Sequence, residues 1–178
     1  FGPGVLTNGL SLREVSDIAH ARGVPVIVDA AAMLPPKSNL RKFISDGADL
    51  VTMSGGKYIR GPQGAGLLFG RKDLIEAATL NTAPNHSIGR PQKVTKDEMI
   101  GMYTALKLFM ESDDEAQFES YRETLGPIQK ILSDVKGIDL AIKFSASKYH
   151  VPTLVIGLNS DQTGRDPKDI LKQLLDGE

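Results

Sequence analysis

The segment Val24-Pro25-Val26-Ile27-Val28 constrains this chain more than any other stretch. Four of its five residues are β-branched and it is apolar on both faces, the pattern of a strand buried inside a parallel sheet. A helix is predicted just before it, over residues 12–22. Ser11 and Glu14 form an S-x-x-E capping box, Leu12, Val15, Ile18 and Ala19 make one apolar stripe, and Gly23 closes the helix. A short helix near 40–46 leads to a second strand over 48–53. The turn Gly61-Pro62-Gln63-Gly64 then leads to a third strand over 65–70. Helix and strand alternate, which defines an α/β chain.

Residues 81–94 read as an irregular loop. Thr95 and Glu98 then cap a helix with the stripe Met99, Met102, Tyr103, Leu106 and Met110. A longer helix over 113–136 carries Phe118, Tyr121, Leu125, Ile128, Leu132 and Val135, with a kink expected at Pro127. Its acidic start, Asp113-Asp114-Glu115, suits the positive end of a helix dipole. After Gly137 come two strands, over 138–144 and 153–158, and a last helix capped by Asp166-Pro167 that runs through Leu175. The expected organisation is a large-domain portion over 1–111, a connecting kinked helix over 112–136, and part of a small α+β domain over 137–178.

Composition narrows the function classes. A net charge of −1 opposes binding of nucleic acid or anionic membrane through bulk charge. No apolar run approaches the ~18 residues of a membrane span. The absence of cysteine excludes disulfides, thiolate metal sites and cysteine nucleophiles, and fits a reducing cytoplasm. Three scattered histidines, His20, His86 and His150, offer no metal-ligand spacing. The chain opens on Phe1-Gly2-Pro3-Gly4, without methionine or signal pattern, and at 178 residues it is expected to be a piece of something longer.

Open α/β sheets form their sites at the carboxyl ends of strands. Two such ends carry reactive groups here: Asp29 after the first strand, and Ser54-Gly55-Gly56-Lys57 after the second. Taken singly, each has a commoner explanation. An Asp at a strand end most often caps a turn, and a lysine after two glycines is usually solvated. Together they match one chemistry. A lysine amine condenses with an aldehyde, a carboxylate keeps a pyridine nitrogen protonated, and a hydroxyl with glycine-loop N–H groups holds a phosphate. Pyridoxal phosphate makes all three demands.

The ordered set Val26-Ile27-Val28-Asp29-Ala30-Ala31, Gly47-Ala48-Asp49-Leu50-Val51, Ser54-Gly55-Gly56-Lys57 and Gly61-Pro62-Gln63 with Gly66 resembles the fold-type I pyridoxal-phosphate enzymes. Within them it is similar to the selenocysteine synthase branch and its aminosugar-phosphate ammonia-lyase relatives of the D-glucosaminate 6-phosphate type. Ile88-Gly89-Arg90-Pro91-Gln92-Lys93 followed by Lys96-Asp97-Glu98 shares that likeness. The resemblance implies an aspartate aminotransferase-like large domain, incomplete here and mostly parallel. It implies a catalytic Lys57 joined to the cofactor as a Schiff base and acting as base at Cα. Asp29 would pair with the ring nitrogen, Ala31 lie against the ring face, and Ser54 bind the phosphate. A homodimer is implied as well.

Arg60, Arg90 and Lys93 are candidates for an anionic group on the substrate, because a guanidinium presents a fixed donor fork. His86 reads more readily as a solvated loop residue. The resemblance places the phosphate-cradling loop and the ring-stacking residue upstream of Phe1, and the rest of the small domain beyond Glu178. The expected reaction is α,β-elimination of ammonia or water from a small, possibly phosphorylated, amino acid or aminosugar acid. No nucleic-acid partner is expected. The alternatives are a selenium or sulfur transferase acting on seryl-tRNA, disfavoured by Gly56, Arg60 and the lack of a basic surface, and a folded piece inactive without the rest of the site.

Overall fold

The structure, a computed structural model, describes residues 9–145 and 149–177. The elements run α1 (Leu12–His20), β1 (Ile27–Asp29), α2 (Asn39–Ser45), β2 (Leu50–Ser54), β3 (Gly66–Gly70), α3 (Lys72–Leu80), α4 (Lys96–Glu111), α5 (Asp114–Leu132), β4 (Ile138–Ser145), β5 (Tyr149–Leu158), α6 (Ser160–Thr163) and α7 (Pro167–Asp176). The chain divides into two compact units after Ser112. Both predicted capping boxes form: the hydroxyls of Ser11 and Thr95 accept from the N–H groups of Glu14 and Glu98.

In the first unit the sheet order is β1-β2-β3. β1 pairs parallel with β2 in the register Ile27↔Leu50, Val28↔Val51, Asp29↔Thr52. The mostly parallel sheet expected from the sequence is confined to this pair, because β3 returns antiparallel to β2 from Gly66 opposite Ser54 to Gly70 opposite Leu50. One sheet face holds the core. Val28 and Val51 are fully buried there beside Met53, and Phe43, Ile59, Met102 and Phe109 join the same apolar cluster.

Three expectations need correction. The first strand does not start at Val24 and is not buried on both faces. Val24 and Ile27 are 52% and 51% exposed, and only Val26, Val28 and Ala30 go inward. Pro25 has no N–H to give, and Val26 gives its own to the Asp49 carboxylate, so the ladder begins at Ile27. The stripe drawn along α4 is also too wide. Met102 and Phe109 are buried, whereas Met99, Tyr103 and Met110 lie about 60–100° further round the helix and are more than half exposed. Finally, α3 and α6 are helices that the sequence pattern does not predict. Arg71 precedes α3 with no side-chain cap, and α3 buries no residue fully, so the sequence gives little signal for it.

The second unit pairs β4 with β5 antiparallel, from Ile138↔Leu158 to Ser145↔Tyr149, with an irregularity between Lys143 and Ser145. α5 belongs to this unit and seats the buried Phe118 against Phe144, ring centroids 4.8 Å apart. α5 continues through Pro127 but stops at Leu132, short of the predicted 136.

Asp49 joins the parts of the first unit. Its buried carboxylate accepts from Val26 N–H at 2.7 Å and from Arg71 at 2.9 Å, and pairs with His20 Nε2 at 2.7 Å. Its backbone N–H reaches Val26 O at 2.9 Å, and its carbonyl accepts from Arg71 N–H at 2.8 Å. A cavity of about 260 Å³ lies over this cluster, lined by His20, Gly23, Val24, Pro25, Asp49 and Arg71. Burial pushes the Asp49 carboxyl up, but the hydrogen bonds from Val26, His20 and Arg71 outweigh it and hold it at about 2. The folded value lies below the unfolded one, so this stabilisation is complete above about pH 4 and is lost as pH falls through about 2. Asp49→Ala is expected to lower unfolding stability by about 2–3 kcal/mol in neutral denaturant titrations, and to flatten the acid dependence over that pH window.

Candidate functional site

The parallel pairing brings the ends of β1 and β2 to one edge of the sheet, because neighbouring parallel strands finish on the same side. Asp29 stands opposite Thr52, and Ala30 N–H donates to Thr52 O at 2.9 Å, carrying the pairing one residue past β1. Asp29 is exposed, and its Oδ1 accepts from Ala31 N–H at 3.0 Å. That bond is the turn-capping role common for such a residue, and it engages one carboxylate oxygen. Ala31 is half-buried in the same turn. Ser54, the last residue of β2, is half-buried two positions beyond Thr52.

The loop from Ser54 to Ala65 is closed on itself. Gly55 N–H donates to Ala65 O at 3.0 Å, Gly61 N–H to Gly55 O at 2.7 Å, Arg60 N–H to Lys57 O at 2.9 Å, and Gln63 Nε2 to Gly56 O at 3.1 Å. Ile59 is buried in the core, and the Tyr58 ring meets Phe109 edge-on with centroids 6.0 Å apart. Gly55 is required by crowding: a Cβ there would stand 2.5 Å from Met102 Sδ and 2.6 Å from Ala65 O. The turn also holds Arg60 at φ 61°, a left-handed conformation that costs a non-glycine residue.

On this anchored loop Lys57 is exposed. Among the described residues its amine makes no hydrogen bond or ion pair, and neither do the Ser54 hydroxyl or the N–H groups of Gly56 and Lys57. The loop therefore offers an aldehyde-reactive amine, a hydroxyl and two backbone donors, with a carboxylate on the adjacent strand end. This donor set fits pyridoxal phosphate: backbone N–H groups in a turn suit a phosphate, and the remaining pair suit the aldehyde and the ring nitrogen.

Arg60 shares the Lys57 loop and is exposed. Arg90 and Lys93 lie on the separate loop between α3 and α4. There Gly89 N–H donates to Asn81 O at 2.8 Å, Ser87 Oγ to Asn81 Oδ1 at 2.6 Å, and Arg90 N–H to Ser87 O at 3.0 Å. Arg90 is half-buried, while Lys93 and His86 are exposed. Among the described residues none of these three bonds to Asp29, Ser54 or Lys57. Asp29 and Ser54 thus end neighbouring strands at one side of the sheet, with Lys57 on the loop that follows, while Arg90 and Lys93 lie on a loop of their own. The Asp49 cluster, which sequence reading missed, sits at the opposite end of the strands; its only trace in the sequence is an acid between Ala48 and Leu50. Among the described residues no group of His, Asp or Glu is suited to a metal ion, and no helix is long and apolar enough to cross a membrane.

The fold and this strand-end arrangement define the class as aspartate aminotransferase-like, fold type I. The chain belongs to the SelA family, L-seryl-tRNA selenium transferase, whose model matches residues 5–138. A D-glucosaminate-6-phosphate ammonia lyase of Salmonella typhimurium is 30% identical over 169 residues, covering 95% of this chain and 42% of that protein. The solved structure of D-glucosaminate-6-phosphate ammonia-lyase superposes with a TM-score of 0.67 at 28% identity, covering 96% of this chain and 43% of the other. A 5'-C-glycyluridine monooxygenase-decarboxylase of Streptomyces is 28% identical over 95% of this chain and 40% of its own length. An L-seryl-tRNA(Sec) selenium transferase of Aquifex aeolicus is 26% identical, covering 86% of this chain and 38% of that protein. The chain spans about two fifths of the length of these relatives. The transferase's name sets a tRNA-linked relative against the expectation of no nucleic-acid partner.

The loop geometry makes two substitutions diverge. Gly55→Ala is expected to cost about 2–3 kcal/mol in denaturant unfolding, because the added Cβ would overlap the backbone carbonyl of Ala65 and the buried Met102. Arg60→Gly is expected to gain about 0.5–1 kcal/mol by relieving the left-handed backbone.

Proposed function

We propose that this chain carries the lysine side of a pyridoxal-phosphate site in a lyase that removes ammonia or water from a small amino acid or aminosugar acid. The observation that carries the reading is the shared edge: Asp29 and the Ser54–Lys57 turn end two strands paired in parallel. Lys57 would hold the cofactor's aldehyde carbon, Ser54 with the Gly56 and Lys57 N–H groups its phosphate, and Asp29 its ring nitrogen. Ala31, small and in the turn after Asp29, would let the ring lie close. Bound pyridoxal phosphate supplies an electron sink for the pair left at Cα. Lys57 Nζ would take the proton from the substrate Cα, and the β-substituent would leave with the electrons of its bond to Cβ as the Cα pair closes the new Cα–Cβ double bond. Asp29 would keep the ring nitrogen protonated. Arg60, Arg90 and Lys93 are proposed to bind an anionic group of the substrate, and a neighbouring copy in a homodimer to complete the site.

The 30%-identical ammonia lyase supports elimination. A second reading, transfer of selenium to seryl-tRNA, is supported by the name of the matched family and opposed by the net charge of −1. Binding of tRNA measured across a salt series separates the two. An affinity that falls steeply with salt favours the transferase, and no measurable affinity favours the small-molecule lyase.

The site itself is tested by adding pyridoxal phosphate to the 178-residue chain, reducing with borohydride and mapping the modified peptide. The expected result is a pyridoxyl group on Lys57, abolished in Lys57→Ala and weakened in Asp29→Asn. Modification spread over other lysines overturns the assignment. Absence of any adduct favours a folded unit that does not hold the cofactor by itself.

A further inference from the structure

The face of the sheet away from the core carries a row in which only Asp29 has a role in the proposed site. Side chains alternate along a strand, and residues paired in register point to the same face. Val28, Val51 and Phe69 form one registered row directed into the core. The next row, Asp29, Thr52 and Leu68, is therefore directed to the other face. Asp29 is exposed, Thr52 half-buried, and Leu68 43% exposed, so this row is open where it meets the catalytic edge. Ser54 follows Thr52 on the same face, opposite Gly66.

Thr52 is the one member of the row that can donate to Asp29, since Leu68 is apolar. Paired strands lie about 4.8 Å apart, which sets the two side chains next to each other. The backbone of Thr52 is committed, its carbonyl accepting from Ala30 N–H, while its hydroxyl has no partner among the described residues. Asp29 is held at Oδ1 by Ala31 N–H, and its second oxygen has no protein donor among the described residues. A carboxylate fixed at one oxygen still has a free lone-pair side to orient. Once a ligand covers this face and displaces water, a neighbouring hydroxyl is the group able to hold that side.

We propose that Thr52 is a positioning residue for Asp29, its hydroxyl donating to the carboxylate oxygen that the Ala31 N–H leaves open, so that the Asp29 charge is aimed at the ring nitrogen of the cofactor. The inference rests on the cofactor reading above. It adds a residue that acts through Asp29 and leaves the Lys57 attachment unchanged.

The test uses the 178-residue chain with Thr52→Val, which removes the hydroxyl and keeps the β-branched shape, and Thr52→Ser, which keeps the hydroxyl. Affinity for pyridoxal phosphate is read by absorbance titration, together with the pH dependence of the bound cofactor's spectrum. Thr52→Val is expected to bind roughly ten-fold more weakly, to shift that pH profile, and to keep both its melting temperature and borohydride labelling at Lys57. Thr52→Ser restores affinity and profile. In an Asp29→Asn background, Thr52→Val adds little, because the two residues act as one unit. Wild-type affinity and profile in Thr52→Val overturn the inference, as does an effect that adds in full to Asp29→Asn. If reduction of the unsubstituted chain labels other lysines in place of Lys57, the cofactor reading falls and this inference with it. A normal Lys57 adduct with an inert Thr52→Val overturns the inference alone.

Discussion

The first unit depends on one buried carboxylate. Asp49 ties the approach to β1, the start of β2 and the exit from β3 to one point, through Val26, its own backbone and Arg71. His20 adds the end of α1. Strand side chains alternate with a period of two, so a slip of one residue would turn every side chain to the other face. By fixing Val26 against Asp49 at one end, the network sets Val28 against Val51 in the core and Asp29 against Thr52 at the far end. The chemistry proposed at the carboxyl edge inherits its alignment from an ion-pair cluster at the opposite edge.

The second constraint is the closed loop after β2. Its backbone bonds and the seating of Ile59 and Tyr58 fix the frame, while the Lys57 side chain stays outside it. The role proposed for Lys57 needs a firm base and a free amine, and this loop supplies both. The strained backbone at Arg60 lies within the same frame. Surrounding structure holds such strain in place, and it is often found where side chains are aimed for function.

Much of this was legible in the sequence, for identifiable reasons. Ser11 with Glu14 and Thr95 with Glu98 are local signals, and both caps formed as their spacing required. The strand ends were legible because Asp29 and Ser54-Gly55-Gly56-Lys57 interrupt apolar runs abruptly. Non-local facts were not. That Val24 and Ile27 stand exposed depends on which sheet face is covered, and periodicity cannot report that when both faces are apolar. Asp49 looked like an ordinary residue at the start of a strand, because its partners His20 and Arg71 lie 29 and 22 positions away. Thr52 gained meaning only from the register, which no single strand encodes.

In the proposed site one ligand spans the two strand ends, attached at Lys57 and oriented by Asp29. The most direct measurement is a crystal structure of the chain grown with pyridoxal phosphate. Continuous density is expected from Lys57 Nζ to the cofactor, with the ring nitrogen facing the Asp29 carboxylate and the phosphate at Ser54. Cofactor bound on another lysine, or with its ring nitrogen turned away from Asp29, would contradict it.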